Sequence, residues 1–154
     1  MRDPVTRMSV ELAPALSPAP SDIAAATAGA ASLLELKQST RLFRLGSADL
    51  ITKKVTFPGS GPDAVPGVIT MHIDDTRGRD IDRRLDGVLV VFNASPDAQS
   101  ISIAALKKKG YTLSSIQARG DDSVVKQTRW NAAKGEVTVP ARTVAVLVDA
   151  QGRR

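Results

Sequence analysis

From Thr40 to the C-terminus the chain runs in short apolar stretches broken by Gly, Pro, Asn and Asp, the pattern of antiparallel β-structure. Strands are expected at Lys53–Phe57, Gly67–Ile73, Gly87–Asn93, Ser100–Ile103, Tyr111–Gln117, Ser123–Thr128, Gly135–Val139 and Thr143–Val148. Eight short strands imply two packed sheets or a barrel, so the expected fold class is all-β, an antiparallel β-sandwich. Leu85 to Phe92 is almost continuously apolar and should form a central strand buried on both faces. By contrast, Tyr111 to Ile116 alternates and should keep one face wet. Pro140 has no amide hydrogen to give a ladder, which places it at a strand start or a bulge.

The N-terminal quarter follows a different rhythm. Met1 to Pro20 is rich in Pro, Ser and Ala with no sustained period, and reads as an irregular arm. A serine cap at Ser21 with Asp22 in the first turn then opens a helix to about Gln38. Ile23, Ala26, Ala30, Leu33 and Leu34 fall on one face of it, a narrow stripe suited to packing on a larger body. Gly29 costs that helix about 1 kcal/mol relative to Ala. The boundary falls between Gln38 and Leu42, dividing residues 1–40, arm plus helix, from residues 41–154. Because the strands are contiguous from about Lys53, the sandwich is expected to fold without the arm.

Four blocks carry a resemblance: Leu42–Leu45 (LFRL), Val65–Met71 (VPGVITM), Asp86–Gln99 (DGVLVVFNASPDAQ) and Val139–Val148 (VPARTVAVLV). In order and spacing they resemble the C-terminal end of bacterial pullulanase-type α-1,6-glucosidases, starch-debranching members of glycoside hydrolase family 13. The resemblance is firm from Leu34 to Val148 and looser from Met8 to Leu33. It departs at Arg41, where the family pattern has proline, at Pro58-Gly59-Ser60-Gly61, and at the lysine-rich segment Leu106 to Gly110. It implies a β-sandwich that follows a catalytic (β/α) barrel, with the Ser21 helix corresponding to the last barrel helix. The family's catalytic carboxylates lie on barrel strands upstream of Met1, so none is carried over. What the resemblance implies is a non-catalytic structural domain of an enzyme that cuts α-1,6 linkages in pullulan, amylopectin or glycogen branches, present here as a fragment. Its partner would be that barrel, in cis or as a separately encoded chain.

Composition fits one domain with a real core: 154 residues, 42% of them hydrophobic. Aromatic residues amount to 3%, so the core must rest on Val, Ile, Leu and Ala. With no cysteine, a disulfide framework and a thiolate metal site are excluded. No apolar run reaches signal-peptide or membrane-spanning length, so the chain as it stands is expected to stay in the cytoplasm, and any export signal of the parent would lie upstream. A net charge of +5 nominates Lys107-Lys108-Lys109, Arg83-Arg84 and Arg153-Arg154 as contacts to an anionic partner. These clusters are dispersed, and without a recognised DNA- or RNA-binding motif they read as solvated loops and strand ends, so no nucleic acid is expected.

Candidate chemistry is sparse. Glycoside hydrolysis needs two carboxyl groups about 5 to 9 Å apart across the scissile bond. The three glutamates, Glu11, Glu35 and Glu136, fall in the arm, the helix and a strand, and no motif pairs them. Asp74, Asp75, Asp80, Asp82 and Asp86 surround Gly78 in a possible Ca²⁺ loop, but Arg77, Arg79, Arg83 and Arg84 interleave, and the reading is a charged hairpin loop without metal. His72, the sole histidine, is read as an exposed or half-buried sheet residue sharing a face with Val68 and Thr70. Gly59-Ser60-Gly61 lacks the lysine and helix of a phosphate loop and is a turn, leaving no cofactor site. Asn93-Ala94-Ser95 meets the N-glycosylation pattern formally and is read as a strand end before a turn. Trp130, at the start of a turn, and Tyr111 are the two residues that would form an accessory α-glucan platform, because sugar rings stack on aromatic faces; core or rim packing is the preferred reading.

Overall fold

Val88, Leu89, Val90 and Val91 are all buried, so the strand that contains them needs cover on both sides. A computed structural model of the chain describes residues 17–62 and 64–152, and it meets that need with two unlike layers. The strands are β1 (Val55–Thr56), β2 (Val68–Asp74), β3 (Leu85–Asn93), β4 (Gln99–Ser102), β5 (Thr112–Leu113), β6 (Arg129–Asn131), β7 (Glu136–Val139) and β8 (Thr143–Ala150). They form a five-stranded sheet in the order β1-β2-β3-β8-β5 and a three-stranded sheet in the order β4-β7-β6, with every pairing antiparallel.

Register decides which side chains meet. His72 pairs with Leu89 and Leu89 with Leu147, while Thr70, Val91 and Ala145 make the next row. These residues face the small sheet, and Leu89, Val91, Ala145 and Leu147 join Ile101, Val137, Val139 and Tyr111 in the inter-sheet core. The opposite face carries three rows: Ile73–Val88–Val148, Met71–Val90–Val146 and Ile69–Phe92–Val144. A helical layer packs on this face through Leu36, Leu42 and Ile116. It comprises α1 (Pro20–Ser39), a 3₁₀ turn at Arg41–Arg44, α2 (Ala48–Lys54) and α3 (Ser115–Arg119).

Several local expectations change. Helix α1 is capped at Ala19, with Pro20 in its first turn, and the Asp22 carboxylate accepts the Ala19 amide at 3.3 Å; Ser21 lies inside the helix. The expected strand at Lys53–Phe57 shrinks to two residues, because Ser47 caps the amide of Leu50 and starts α2 instead. Tyr111–Gln117 is a strand only at Thr112–Leu113 before turning into α3. There the side-chain amide of Gln117 takes over the ladder, donating to the Val144 carbonyl and accepting from the Val146 amide, both at 2.8 Å. Ser123–Thr128 is not a strand: Asp122 accepts the amides of Val124 and Val125 and winds a 3₁₀ turn at Val125–Gln127. The strand lies one step later, at β6, so Trp130 is a strand residue and not the start of a turn. Pro140 sits in the β7–β8 connection, just after β7 ends. The arm lies outside the described residues up to residue 16.

Lys54, at the end of α2, is fully buried. Its ammonium donates to Asp75 Oδ1 at 2.7 Å, to the Asp75 carbonyl at 3.2 Å and to the Arg77 carbonyl at 2.7 Å, which uses all three protons. The Asp75 carboxylate also accepts the amides of Ile81 and Asp82, at 3.0 and 2.8 Å. This pair therefore pins α2 to the β2–β3 loop. Replacing one partner leaves a buried charge without compensation, and Lys54→Met should cost about 3–5 kcal/mol in urea unfolding. Lys54→Met and Asp75→Asn should also be strongly non-additive in the double variant, whereas additive losses would show that the two act independently.

Candidate functional site

Building outward from β2, His72 comes first. Alternation places it with Val68 and Thr70, as expected, but it is buried and not exposed or half-buried, because that face looks into the inter-sheet core. Its Nε2 lies 2.7 Å from the Tyr111 hydroxyl, a buried hydrogen bond. Tyr111 stands edge-to-face on Trp130 with ring centroids 5.2 Å apart, and Trp130 Nε1 donates to the Lys109 carbonyl at 2.8 Å. The three rings thus form one chain from β2, through Tyr111 just ahead of β5, to the edge strand β6. Burial pushes the His72 imidazole below its ordinary value of 6.5, with Asp74 opposing and Lys109 reinforcing the shift. Burial also pushes the Tyr111 hydroxyl far above its usual range, and Asp149, Asp74 and Asp86 add to the effect.

This geometry divides the two proposed sugar contacts. Tyr111 is only 4% exposed and its hydroxyl is taken, so it offers no face to a glucan. Trp130 is half-buried and packs against the inter-sheet core, on the same face of the small sheet as Val137.

Several of the candidate carboxylates have local partners. Glu35 pairs with Arg119, tying α1 to α3. Glu136 lies in β7 opposite Ser102 and Asn131, and Glu11 is outside the described residues. Around Gly78, Asp74 accepts the Thr76 amide and hydroxyl and the Arg77 guanidinium, while Asp82 pairs with Arg84 at 2.7 Å. Hydrogen bonding from Arg84 holds the Asp82 carboxyl down to about 2, against a smaller opposing effect of burial. A cation does occupy the heart of this loop, and it is the Lys54 ammonium on Asp75. Among the described residues no group of three or more His, Asp or Glu side chains is gathered as metal ligands.

Asn93 is buried and acts as a hub: its Nδ2 donates to the carbonyls of Asp97, Val139 and Pro140, and its Oδ1 accepts from Ser95. An amide so enclosed is unavailable for glycosylation in the folded chain. Gly59 and Gly61 take positive φ in the expected turn, where Ser60 donates to the Phe57 carbonyl. Among the basic clusters, Arg84 is tied to Asp82 and to the Ser39 carbonyl, and Arg153-Arg154 lie outside the described residues. No helix among the described residues is long and apolar enough to cross a membrane.

One surface was only half legible in the sequence. Ile23, Leu33 and Leu34 on α1 are 54%, 56% and 60% exposed. Between α1 and the segment from Ile116 to Val125 lies a groove of about 790 Å³, walled by Ala25, Ala28, Leu33 and Leu36 and reaching Val144. From Val144 the apolar surface continues across the sheet to Phe92 and Ile69, also exposed. The helix stripe was readable from its spacing, whereas the sheet row depends on where the helical layer stops.

Residues 7–150 match the family model described as alpha-1,6-glucosidases, pullulanase-type, C-terminal. The chain is 36% identical over 143 residues to pullulanase 1, chloroplastic, of Arabidopsis thaliana, covering 90% of this chain and 15% of that protein. It is 35% identical over 138 residues to a pullulanase of Klebsiella pneumoniae, covering 88% of this chain and 12% of the relative. Among solved structures, PulA from Klebsiella oxytoca superposes with a TM-score of 0.79 at 34% identity, over 89% of this chain and 13% of that one. The chain thus spans less than a sixth of the length of each of these relatives.

The ring chain makes stability depend on pH. The unfolded chain takes up a proton at His72 near 6.5 and the folded chain only at lower pH, so the neutral imidazole's contribution is complete above 6.5 and is lost as pH falls below it. Asp82 adds stability that is complete above its ordinary 3.8 and is lost as pH falls toward 2. Urea midpoints should therefore decline from pH 7 to pH 5 in the wild type and stay flatter in His72→Gln; parallel profiles would contradict the assignment. Tyr111→Phe strands a buried nitrogen and should cost about 1–3 kcal/mol at pH 7 by the same measurement.

Proposed function

The chain belongs to the C-terminal domain family of pullulanase-type α-1,6-glucosidases, and from that membership we propose that it is a non-catalytic structural domain, one that holds the enzyme's catalytic barrel in shape. The parent would hydrolyse α-1,6-glucosidic links in pullulan or in amylopectin or glycogen branches. Residues 1–40 would belong to the end of the barrel and residues 41–154 to the appended sandwich.

The observation that carries this reading is the uncovered apolar band. Apart from its last turns, α1 lies in the open, with Leu36 as its buried residue. A helix with so little tertiary support is marginal in water, since helices in proteins draw most of their stability from packing. Leu33, the groove it lines and the Ile69–Phe92–Val144 row leave open apolar surface of the kind that marks an interface, and Ile23 and Leu34 add large exposed side chains elsewhere on α1. Because the family's domain is C-terminal, the remainder of the relatives' length precedes it, and α1 stands at the N-terminal side of the sandwich, where that chain would arrive. An apolar barrel surface from the same polypeptide, or from a separately encoded one, is the partner of matching chemistry.

Two measurements test it. Purified chain incubated with pullulan should release no reducing ends, and turnover above background would overturn the non-catalytic reading. In a full-length parent, Leu33→Glu with Leu34→Glu should lower the melting temperature by several degrees while leaving the isolated chain's almost unchanged. Equal effects in both settings would place those leucines outside any interface.

A further inference from the structure

We infer that the groove between α1 and the segment from Ile116 to Val125 receives one helix of the chain preceding this domain, which crosses α1 at Gly29. The inference rests on the barrel-docking role proposed above and specifies the partner. Its first ground is the composition of α1. Between Asp22 and Glu35 no residue is charged, and apolar side chains lie on every side of the helix. Ala25, Ala28, Gly29 and Ser32 turn toward the groove, whereas Ile23 and Leu34, at 3.6 residues per turn, fall on the opposite side and are exposed. A helix that is apolar all round is built for burial, yet Leu36 is the residue it buries.

Gly29 is the second ground. Glycine is the poorest helix former after proline, so one in mid-helix calls for a packing reason. This chain supplies none: a methyl group added there would meet nothing within 4 Å among the described residues beyond its own helix. The bare backbone lines the groove instead, with Ala25 one turn before it and Ser32 about one turn after. Small residues at that spacing admit a second helix at the short end of the usual interaxial range of about 8 to 10 Å. What enters must also satisfy its own backbone, because the groove walls are apolar and the Val144 carbonyl, which the groove reaches, already accepts the Gln117 amide. A strand would leave amides unpaired there, whereas a helix pairs them internally. The wall from Ala24 to Leu36 runs about 18 Å, a little over three helical turns. Asp121 and Asp122 line the groove as well, and neither pairs with a cation among the described residues. The incoming helix would bring them a basic residue, which the α1 of a second copy, uncharged from Ile23 to Leu34, does not carry. The relatives hold the source of such a helix, since most of their length precedes this domain.

The experiment is Gly29→Leu, made both in the isolated chain and in a full-length parent. Leucine favours the helix and the open groove has room for it, so the isolated chain should keep or strengthen its helical circular dichroism signal, with no fall in melting temperature. In the parent the same side chain would strike the incoming helix, and the melting temperature should drop by several degrees. Asp121→Lys should lower the parent's value likewise, and a parent indifferent to it would overturn the charge pairing. A parent that tolerates Gly29→Leu would overturn the crossing, while Leu33→Glu with Leu34→Glu still decides the docking role on its own. Equal losses in both settings would overturn it too, because the clash would then lie within this chain. Sedimentation of the isolated chain tests the other occupant: a dimer that Gly29→Leu dissociates would assign the groove to a second copy and overturn the inference.

Discussion

Everything in this domain follows from a sheet that is apolar on both faces. Strand β3 runs through its centre with five consecutive buried residues, Gly87 to Val91, and such a strand is stable only when both of its surfaces are kept from water. One surface is covered by a second sheet, which supplies Ile101, Val137 and Val139. The other is covered by helical pieces, which reach across two of its three apolar rows. The third row and α1 are left with apolar side chains in solvent, and the requirement for cover passes from this chain to whatever adjoins it. The core of this domain is thus complete on one side and open on the other.

The parts of this arrangement that were legible in the sequence are those fixed by local pattern. Strands β2, β3, β4, β7 and β8 and helix α1 lie within a residue or two of their expected positions, because alternation, continuous apolarity and a proline-flanked start each have a direct structural meaning. Helix α2 was missed although its signals are present: Ser47 as cap, Asp49 in the first turn and Lys53-Lys54 at the end. Seven residues are too few for period to outweigh the β-branched run that follows. Nothing local marks Lys54 as buried, since lysine is among the residues least often found inside, and its cage is assembled by a loop more than twenty positions away. The same applies to His72. Its face was correctly assigned, but its burial depends on Tyr111 arriving from just ahead of β5.

In the candidate regions, residue type proved a weaker guide than placement. The acidic cluster is read from sequence as a charged hairpin loop with interleaved arginines, and Arg77 and Arg84 do pair within it, but nothing in that stretch announces Lys54 on Asp75. Tyr111 and Trp130 are read alike, with core or rim packing preferred to a sugar platform, and placement separates them: one closes the core and the other stands at its rim. The lysine-rich segment keeps Lys107 and Lys108 in solvent, as read, while its backbone is tied to the β6–β7 turn and to Trp130. Long-range pairing creates or cancels these sites, and the strand signals around Ser123–Trp130 were too weak to give that pairing in advance.

Gln117 illustrates how much can hang on one amide. Beyond Leu113 the outer edge of β8 has no strand beside it, and this side chain meets the edge at Val144 and Val146 with one donor and one acceptor. A bare edge is a template for a strand from another molecule. Conversion of Gln117 to glutamate, as in spontaneous deamidation during ageing, would remove the donor and set a carboxylate against the Val144 carbonyl. At this edge the sheet thus ends on a side chain rather than on a strand, and its pairing capacity at Val144 and Val146 is spent within the domain.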